Sequence, residues 1–177
     1  LDAARVHETL QKAVQVAAIW NPANLESGLQ RKRLQDAARA RGMRMRFVEA
    51  QHPGEIDGAF ASMAREKTDA VVVSADPMLV SERRRIVELA ARSRVPAVYF
   101  DRSFAEAGGL LSYGTDLFAL YRGASTYVDK ILKGAKPADL PVQQPTQFEL
   151  VINLKTAKTL GLMIPPPVLL RASRVIE

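Results

Sequence analysis

Strand-like and helix-like segments alternate along this chain from one end to the other. The clearest strand is DAVVVSA, residues 69–75, which is almost wholly apolar and rich in β-branched side chains, as a strand buried on both faces must be. Each apolar run is separated from the next by a stretch long enough to form a helix. Parallel strands need crossovers of this kind, so the order predicts an α/β fold: a parallel sheet with helices on both faces, in three αβα layers.

The other elements follow from the spacing of apolar residues. Five further segments are predicted to be strands, and one of them, residues 43–50, alternates as a half-buried edge strand does; the five are residues 14–20, 43–50, 95–100, 109–114 and 148–153. A helix is predicted over 25–41, ending at Gly42. The most clearly amphipathic helix is predicted from Leu117 to Leu132 and ends at Gly134.

Polar side chains follow four of the predicted strands. Asn21 and Asp76 each stand before a proline, which disfavours the helical conformation of the preceding residue and suits the first position of a helix. Ligands of open parallel sheets bind at the carboxyl ends of the strands. The predicted ligand-binding residues are therefore Asn21, Asn24, Asp76, Asp101, Tyr113 and Asp116.

These side chains suit a zwitterionic ligand. An aspartate at 76, 101 or 116 can pair with an ammonium group through charge-assisted hydrogen bonds. A carboxylate can bind the amides of the helix that starts near Asn24, and Tyr113 can stack against an aromatic or apolar ligand body. For Asn21 and Asp76 a plainer role stays open, since a helix cap alone is worth about 1 kcal/mol.

The sequence contains no recognisable catalytic or metal-binding motif. It has no cysteine, and its two histidines, His7 and His52, stand far apart in different contexts. GxSxG, Walker A and GxGxxG patterns are missing, and Trp20-Asn21 stands where a phosphoacceptor receiver domain needs paired acidic residues. We therefore expect no catalytic residue, no metal and no cofactor, and we do not expect an enzyme.

Nucleic acid is not an expected partner either. The formal net charge is +6, but only 6% of the residues are aromatic, and the basic clusters lack the interleaved aromatic residues on which bases stack. We expect the basic clusters to be solvated helix faces that keep the protein soluble.

Four segments carry a likeness to a known family: WNPAN at 20–24, EAGGLLSYG at 106–114, YVDKILKGAKPADLPVQQP at 127–145 and FELVINLKTAKTLGL at 148–162. They resemble the ABC-transporter substrate-binding proteins, a bilobal periplasmic or lipoprotein family that includes aromatic amino-acid binders. The resemblance implies a small-molecule ligand, such as an amino acid or related zwitterion, enclosed between two lobes. It also implies delivery of that ligand to ABC-transporter permease subunits, in a periplasmic or other extracytoplasmic location.

The resemblance further implies that residues 1–177 are the C-terminal portion of such a protein. Residues 14–110 with 146–177 would form the second lobe, and residues 111–145 would return to the first lobe and cross the hinge. A first lobe would then precede Leu1, together with a signal peptide or a lipid anchor that makes the only membrane contact. Without that lobe the stripe from Leu117 to Leu132 lacks a partner, so we expect this portion to dimerise.

A second interpretation stays open, because bacterial transcription regulators use effector-binding domains of the same bilobal architecture. A helix-turn-helix upstream would indicate a regulator, whereas a signal peptide or lipid-anchor motif would indicate transport.

Overall fold

The computed structural model describes residues 13–177, which form a seven-stranded sheet. The strands are β1 (Gln15–Trp20), β2 (Arg44–Glu49), β3 (Ala70–Val73), β4 (Ala97–Tyr99), β5 (Leu111–Thr115), β6 (Phe148–Asn153) and β7 (Arg174–Ile176). Their order across the sheet is β2-β1-β3-β4-β5-β6-β7. Neighbouring strands are parallel except for β5 and β6, which are antiparallel. The predicted α/β class is confirmed, and the antiparallel pair and β7 are additions to the prediction.

Eight α-helices lie within the described residues: α1 (Ser27–Arg39), α2 (Ile56–Arg65), α3 (Pro77–Ser81), α4 (Arg83–Arg92), α5 (Arg102–Glu106), α6 (Leu117–Leu132), α7 (Leu154–Thr159) and α8 (Pro166–Leu169). Short 3-10 turns stand at Pro53–Glu55 and Pro137–Asp139. None of the helices between residues 13 and 177 is long and apolar enough to cross a membrane.

The helices cover the sheet on both faces, as predicted. On one face Leu34 and Ala38 of α1, Ala157 of α7 and Val168 of α8 share a buried cluster with alternate strand residues. Helices α2 to α5 cover the other face through a second cluster that includes Phe60, Ile86 and Phe104. All four residues of β3 are buried because this strand lies inside the sheet with cover on both sides. Burying a side chain such as Ile86 contributes roughly 1.5–3 kcal/mol.

Helix α6 stands apart from both layers. None of its residues is buried, although its apolar spacing matches that of a core helix. An extended segment follows the turn at Pro137–Asp139, and Tyr127 of α6 donates a hydrogen bond of 2.7 Å to the carbonyl oxygen of Pro141 in it. Helix and segment thus form one projecting unit of residues 116–147.

Strand β5 differs from the sequence-based expectation that residues 111–145 leave this lobe together. Residues Leu111–Thr115 pair with β4 on one side and β6 on the other, so they are part of the sheet. The chain leaves the sheet only after Thr115. The division of the protein into two lobes stays a prediction.

Candidate functional site

The polar strand ends lie along one edge of the sheet. Strands β1, β3, β4 and β5 are consecutive and parallel, and their carboxyl ends lead to Asn21, Asp76, Asp101 and Asp116 in that order. Neighbouring strands are about 4.8 Å apart, so this row spans about 14 Å. That is the scale of a small-molecule site.

Asp76 joins the first two of these strand ends. Its Oδ2 accepts hydrogen bonds from Nδ2 of Asn21 at 3.2 Å and from Nδ2 of Asn24 at 3.0 Å. Its Oδ1 accepts from the backbone N–H groups of Met78 at 2.9 Å and Leu79 at 3.1 Å, and so caps α3. The side chain is buried, and the helix-cap role left open from the sequence is confirmed for Asp76.

Asn21 and Asn24 shape the loop between β1 and α1. Oδ1 of Asn21 accepts from the N–H of Ala23, and Oδ1 of Asn24 accepts from the N–H of Glu26, each at 3.0 Å. Helix α1 therefore begins at Ser27, later than predicted, and the side chain of Glu26 does not cap it. Asn21 is not a helix cap, and the first amides of α1 are not those near Asn24.

Asp101 and Asp116 are also helix caps. Oδ1 of Asp101 accepts from the N–H of Ser103 at 2.8 Å at the start of α5, and Oδ1 of Asp116 accepts from the N–H of Ala119 at 3.0 Å at the start of α6. Within residues 13–177, Oδ2 of either carboxylate accepts no hydrogen bond. Each of these two aspartates keeps one oxygen for another partner.

An open depression of about 450 Å³ lies at this edge, between β4, β5 and the start of β6. Asp101, Tyr113 and Phe100 line it, and the ring of Tyr113 stacks on that of Phe148 with centroids 5.9 Å apart and planes at 22°. Gly114 also lines it, and a side chain there would collide with the carbonyl oxygen of Phe100. The depression thus has aromatic walls and a carboxylate at its rim.

Two charged residues that the sequence analysis did not single out stand beside this depression. Nη1 of Arg102 lies 3.6 Å from Oε2 of Glu149, and the guanidinium of Arg102 lies 4.0 Å from the centre of the Phe118 ring. Burial raises the pKa of Glu149, while the charge of Arg102 opposes that rise and those of Asp116 and Asp101 add to it. The position of Arg102 directly after Asp101 in the sequence was a signal that could have identified it as a candidate site residue. Glu149 could not have been identified in this way, because it reaches the site only through the antiparallel register that sets it opposite Gly114.

A second depression, of about 600 Å³, lies between α6 and the segment from Pro137 to Gln147. Its walls are mainly apolar and include Leu120, Ile131 and Val142. Val142 is almost fully exposed. Thr115 and Asp116, at the carboxyl end of β5, also line it, so this surface runs from the strand edge along the projecting unit.

No group of three or more potential metal ligands is found within the described part of the chain. His52 is largely exposed, and its Nε2 lies 3.2 Å from Oε1 of Glu55 on the surface. His7 lies outside the described residues.

Residues 5–176 match the family model described as ABC transporter substrate binding protein. A curated relative, the tyrosine-binding protein of Clostridioides difficile, is 24% identical over 151 residues, which cover 85% of this chain and 44% of the relative.

Two solved structures superpose closely on this chain. A structure from Streptococcus pneumoniae, described as an ABC domain in complex with L-Trp, is 27% identical with a TM-score of 0.90, over 99% of this chain and 60% of that one. A conserved domain protein from Vibrio cholerae is 26% identical with a TM-score of 0.90, over 98% and 58%. The chain spans less than two thirds of the length of each of these proteins.

Proposed function

The chain belongs to the ABC transporter substrate binding protein family, and we propose that it supplies one α/β lobe of a two-lobed protein that captures an amino acid. The cargo would be a zwitterion with an aromatic side chain, in keeping with the relatives described as tyrosine-binding and as a complex with L-Trp. The observation that carries the proposal is the depression at the strand edge, in which a carboxylate and three aromatic rings converge.

The ammonium group of the ligand would bind the carboxylates of Asp101 and Asp116. Each uses one oxygen to cap a helix and keeps the other, so neither cap is lost when the ligand binds. Hydrogen bonds between ionised partners are about twice as strong as neutral ones. A ligand without an ammonium group could not form these charge-assisted hydrogen bonds and would bind more weakly.

The aromatic side chain of the ligand would lie against Tyr113. Its ring is braced by stacking on Phe148, so it presents a face with little freedom to move. Offset aromatic pairs contribute about 0.5–1.5 kcal/mol beyond their buried area. This favours an aromatic amino acid over an aliphatic one of similar size.

The ligand carboxylate would bind at the start of α1. The first amides of that helix receive no side-chain cap from Glu26, and the helix dipole favours an anion there. Nδ2 of Asn21 donates a single hydrogen bond within the described residues, to Asp76, and keeps a second N–H for a ligand oxygen. Asn24 lies in the same loop and fixes its shape through its hydrogen bonds with the N–H of Glu26 and with Asp76.

Closure of the site would require a second lobe. The depression is open to solvent, and the chain covers 44% of the curated relative and about 60% of the solved ones. We place the other lobe against α6 and the segment from Pro137 to Gln147, whose apolar surface the described residues leave uncovered. The whole protein would act outside the cytoplasm, held there as a soluble or lipid-anchored component, and would pass the unaltered ligand to the permease subunits of an ABC importer.

The test is isothermal titration calorimetry of the complete two-lobed protein with L-tryptophan and L-tyrosine, with D-glucose as a ligand of different chemistry. We expect binding of an aromatic amino acid and none of glucose. Asp101→Asn and Asp116→Asn keep the helix caps and remove the charge, and should each weaken binding about tenfold, since a charged hydrogen bond contributes about 1.5–3 kcal/mol.

Asp36→Asn is the matched control, because Asp36 is exposed and lies in the last turn of α1, at the opposite end of that helix from the proposed ligand site. A complete protein that binds no amino acid would overturn the proposed function. Full affinity in both aspartate variants would overturn the assignment of the ammonium site.

A further inference from the structure

We infer that Asp76 is a positioning residue: it holds the amides of Asn21 and Asn24 in one arrangement at the sheet edge and does not itself contact the ligand. The inference rests on the proposed function for the ligand, and on the hydrogen bonds of the described residues for the geometry. It replaces the sequence-based expectation that Asp76 pairs with an ammonium group.

The carboxylate of Asp76 has no acceptor capacity left. A carboxylate has about four lone-pair sites, and Asp76 accepts four hydrogen bonds, two at each oxygen. The side chain is only 5% exposed. Asp101 and Asp116, by contrast, each accept one hydrogen bond and are more accessible. An ammonium group would have to displace a partner of Asp76 but none of the partners of those two residues.

The same four bonds join two loops that are far apart in sequence. Oδ1 fixes the start of α3, and Oδ2 fixes side chains that precede Asp76 by 55 and 52 residues. Asp76 therefore connects the end of β3 to the loop after β1. That loop leads directly into α1, where the ligand carboxylate would bind.

The two amide groups cannot turn over without loss. Their oxygens accept from the N–H groups of Ala23 and Glu26, so only their nitrogens are left to face Asp76. Turning either group would break its bond to Asp76 and its bond to the backbone together. The carboxylate thus selects one orientation of both amides and sets the direction of the remaining N–H of Asn21.

This arrangement allows the two roles of Asp76 to be separated by substitution. In Asp76→Asn the amide oxygen can still cap α3, but an NH₂ group then faces two other NH₂ groups. In Asp76→Ser the hydroxyl is a good helix cap but provides no second oxygen to reach the asparagines. Both variants keep the helix start and remove the brace on the loop.

The matched control is Asp69→Asn at the opposite end of the same strand. Oδ2 of Asp69 accepts from the N–H groups of Val14 at 2.9 Å and Gln15 at 2.7 Å, at the amino end of β3. It is an aspartate that holds backbone amides 55 and 54 residues away, and it has no contact with the loop after β1. Asp69→Asn should therefore show how much stability and affinity change when any carboxylate that holds distant backbone amides is lost.

The experiment measures two quantities on the complete protein: affinity for L-tryptophan and L-tyrosine by calorimetry, and exchange of individual backbone amides by NMR. For Asp76→Asn and Asp76→Ser we expect affinity to fall about tenfold or more, since the lost bonds involve an ionised partner. We also expect the amides of Ala23 and Glu26 to exchange faster, while those of Met78 and Leu79 stay protected. Asp69→Asn should leave affinity and the exchange at Ala23 and Glu26 unchanged.

Any of the following results would contradict the inference that Asp76 positions the loop for the ligand. Unchanged affinity in both Asp76 variants would show that the brace does not matter for the ligand. Lower affinity with unchanged exchange at Ala23 and Glu26 would indicate direct contact with the ligand. Loss of protection at Met78 and Leu79 in both variants, or failure of both to fold while Asp69→Asn folds, would mean that Asp76 serves only as a helix cap.

The proposed function fails by a different result, namely a wild-type protein that binds neither probe. In that case the exchange measurement still decides whether Asp76 orients the loop.

Discussion

Nη1 of Arg102 lies 3.6 Å from Oε2 of Glu149, an ion pair that joins the first residue of α5 to the second residue of β6. Burial raises the pKa of Glu149, and Arg102 is the cation that opposes this rise. Asp116 and Asp101 lie close enough to add to it. Arg102 thus opposes the combined effect of burial and of these two aspartates on Glu149, so the pKa of Glu149 should report on that balance.

Stability should fall with rising pH because of Glu149. A carboxyl with a higher pKa in the folded protein than in the unfolded chain binds its proton more readily when folded. Its stabilising contribution is therefore present below the unfolded pKa, about 4.3, and is lost as pH rises through the folded value. Glu149→Gln should remove this dependence, so that the variant gains stability relative to wild type as pH rises above about 4.3. Urea unfolding across a series of pH values would measure the difference, and a constant difference would contradict the prediction.

The charge of Arg102 and its planar shape should have separable effects. Arg102→Gln removes the charge that lowers the pKa of Glu149, so that pKa should rise further, whereas Arg102→Lys should largely retain the wild-type value. Lysine lacks the planar guanidinium that lies 4.0 Å from the centre of the Phe118 ring. Arg102→Gln should therefore lose about 0.5–1 kcal/mol of stability from this contact, and Arg102→Lys should lose less, because an ammonium group can still lie over the ring. NMR titration of the Glu149 carboxyl and thermal unfolding are the two measurements, and equal pKa values in both variants would exclude the electrostatic role.

Gly114 is required by the close approach of β5 to the end of β4. A Cβ at this position would lie 1.8 Å from the carbonyl oxygen of Phe100, which is backbone and cannot move aside like a side chain. Gly114→Ala should cost more than about 2 kcal/mol of unfolding free energy, because the two strands must separate. Gly123→Ala is the matched control: it lies in α6 with open space around it and should stabilise the helix by about 0.5–1 kcal/mol. Equal unfolding midpoints for the two variants would contradict the prediction that the carbonyl oxygen of Phe100 leaves no room for a side chain at position 114.

The row of polar strand ends could be predicted from the sequence because one rule covers all of them. Once the strands are read as parallel, their carboxyl ends must share an edge, and Asn21, Asp76, Asp101 and Asp116 follow from their positions. The sequence pattern does not show which strands are neighbours in the sheet. That Asp76 bonds to Asn21 and Asn24 depends on β1 and β3 being adjacent, which local periodicity does not reveal.

The elements that were missed depend on long-range pairing or on competition between local bonds. Strand β7 has three residues and is largely exposed, so its sequence shows no apolar alternation, and it forms by pairing with β6. Helix α1 starts later than its composition predicts because Oδ1 of Asn21 and Oδ1 of Asn24 each accept from the N–H group two residues on and hold the chain in turns before Ser27. Glu149 reaches the site through the antiparallel register of β6 with β5.

The apolar face of α6 should make residues 1–177 self-associate when they are produced without a second lobe. The exposed large apolar side chains on this helix include Leu117, Phe118, Leu120, Tyr121, Val128, Ile131 and Leu132. A patch of this extent is normally covered by another surface, so we expect a dimer. Light scattering in the micromolar range should give twice the chain mass of 19.5 kDa.

Substitution of charged residues into that face should separate the copies. Val128 and Leu132 are 55% and 82% exposed and lie four residues apart on one side of α6, so Val128→Lys with Leu132→Lys should yield a monomer without loss of the core. Met163→Lys is the control, because Met163 is 89% exposed but lies outside α6, and that variant should remain dimeric. The complete protein should be a monomer with or without the substitution at Met163, since its other lobe would cover α6. A wild-type chain of residues 1–177 that stays monomeric in the same concentration range would show that α6 needs no partner.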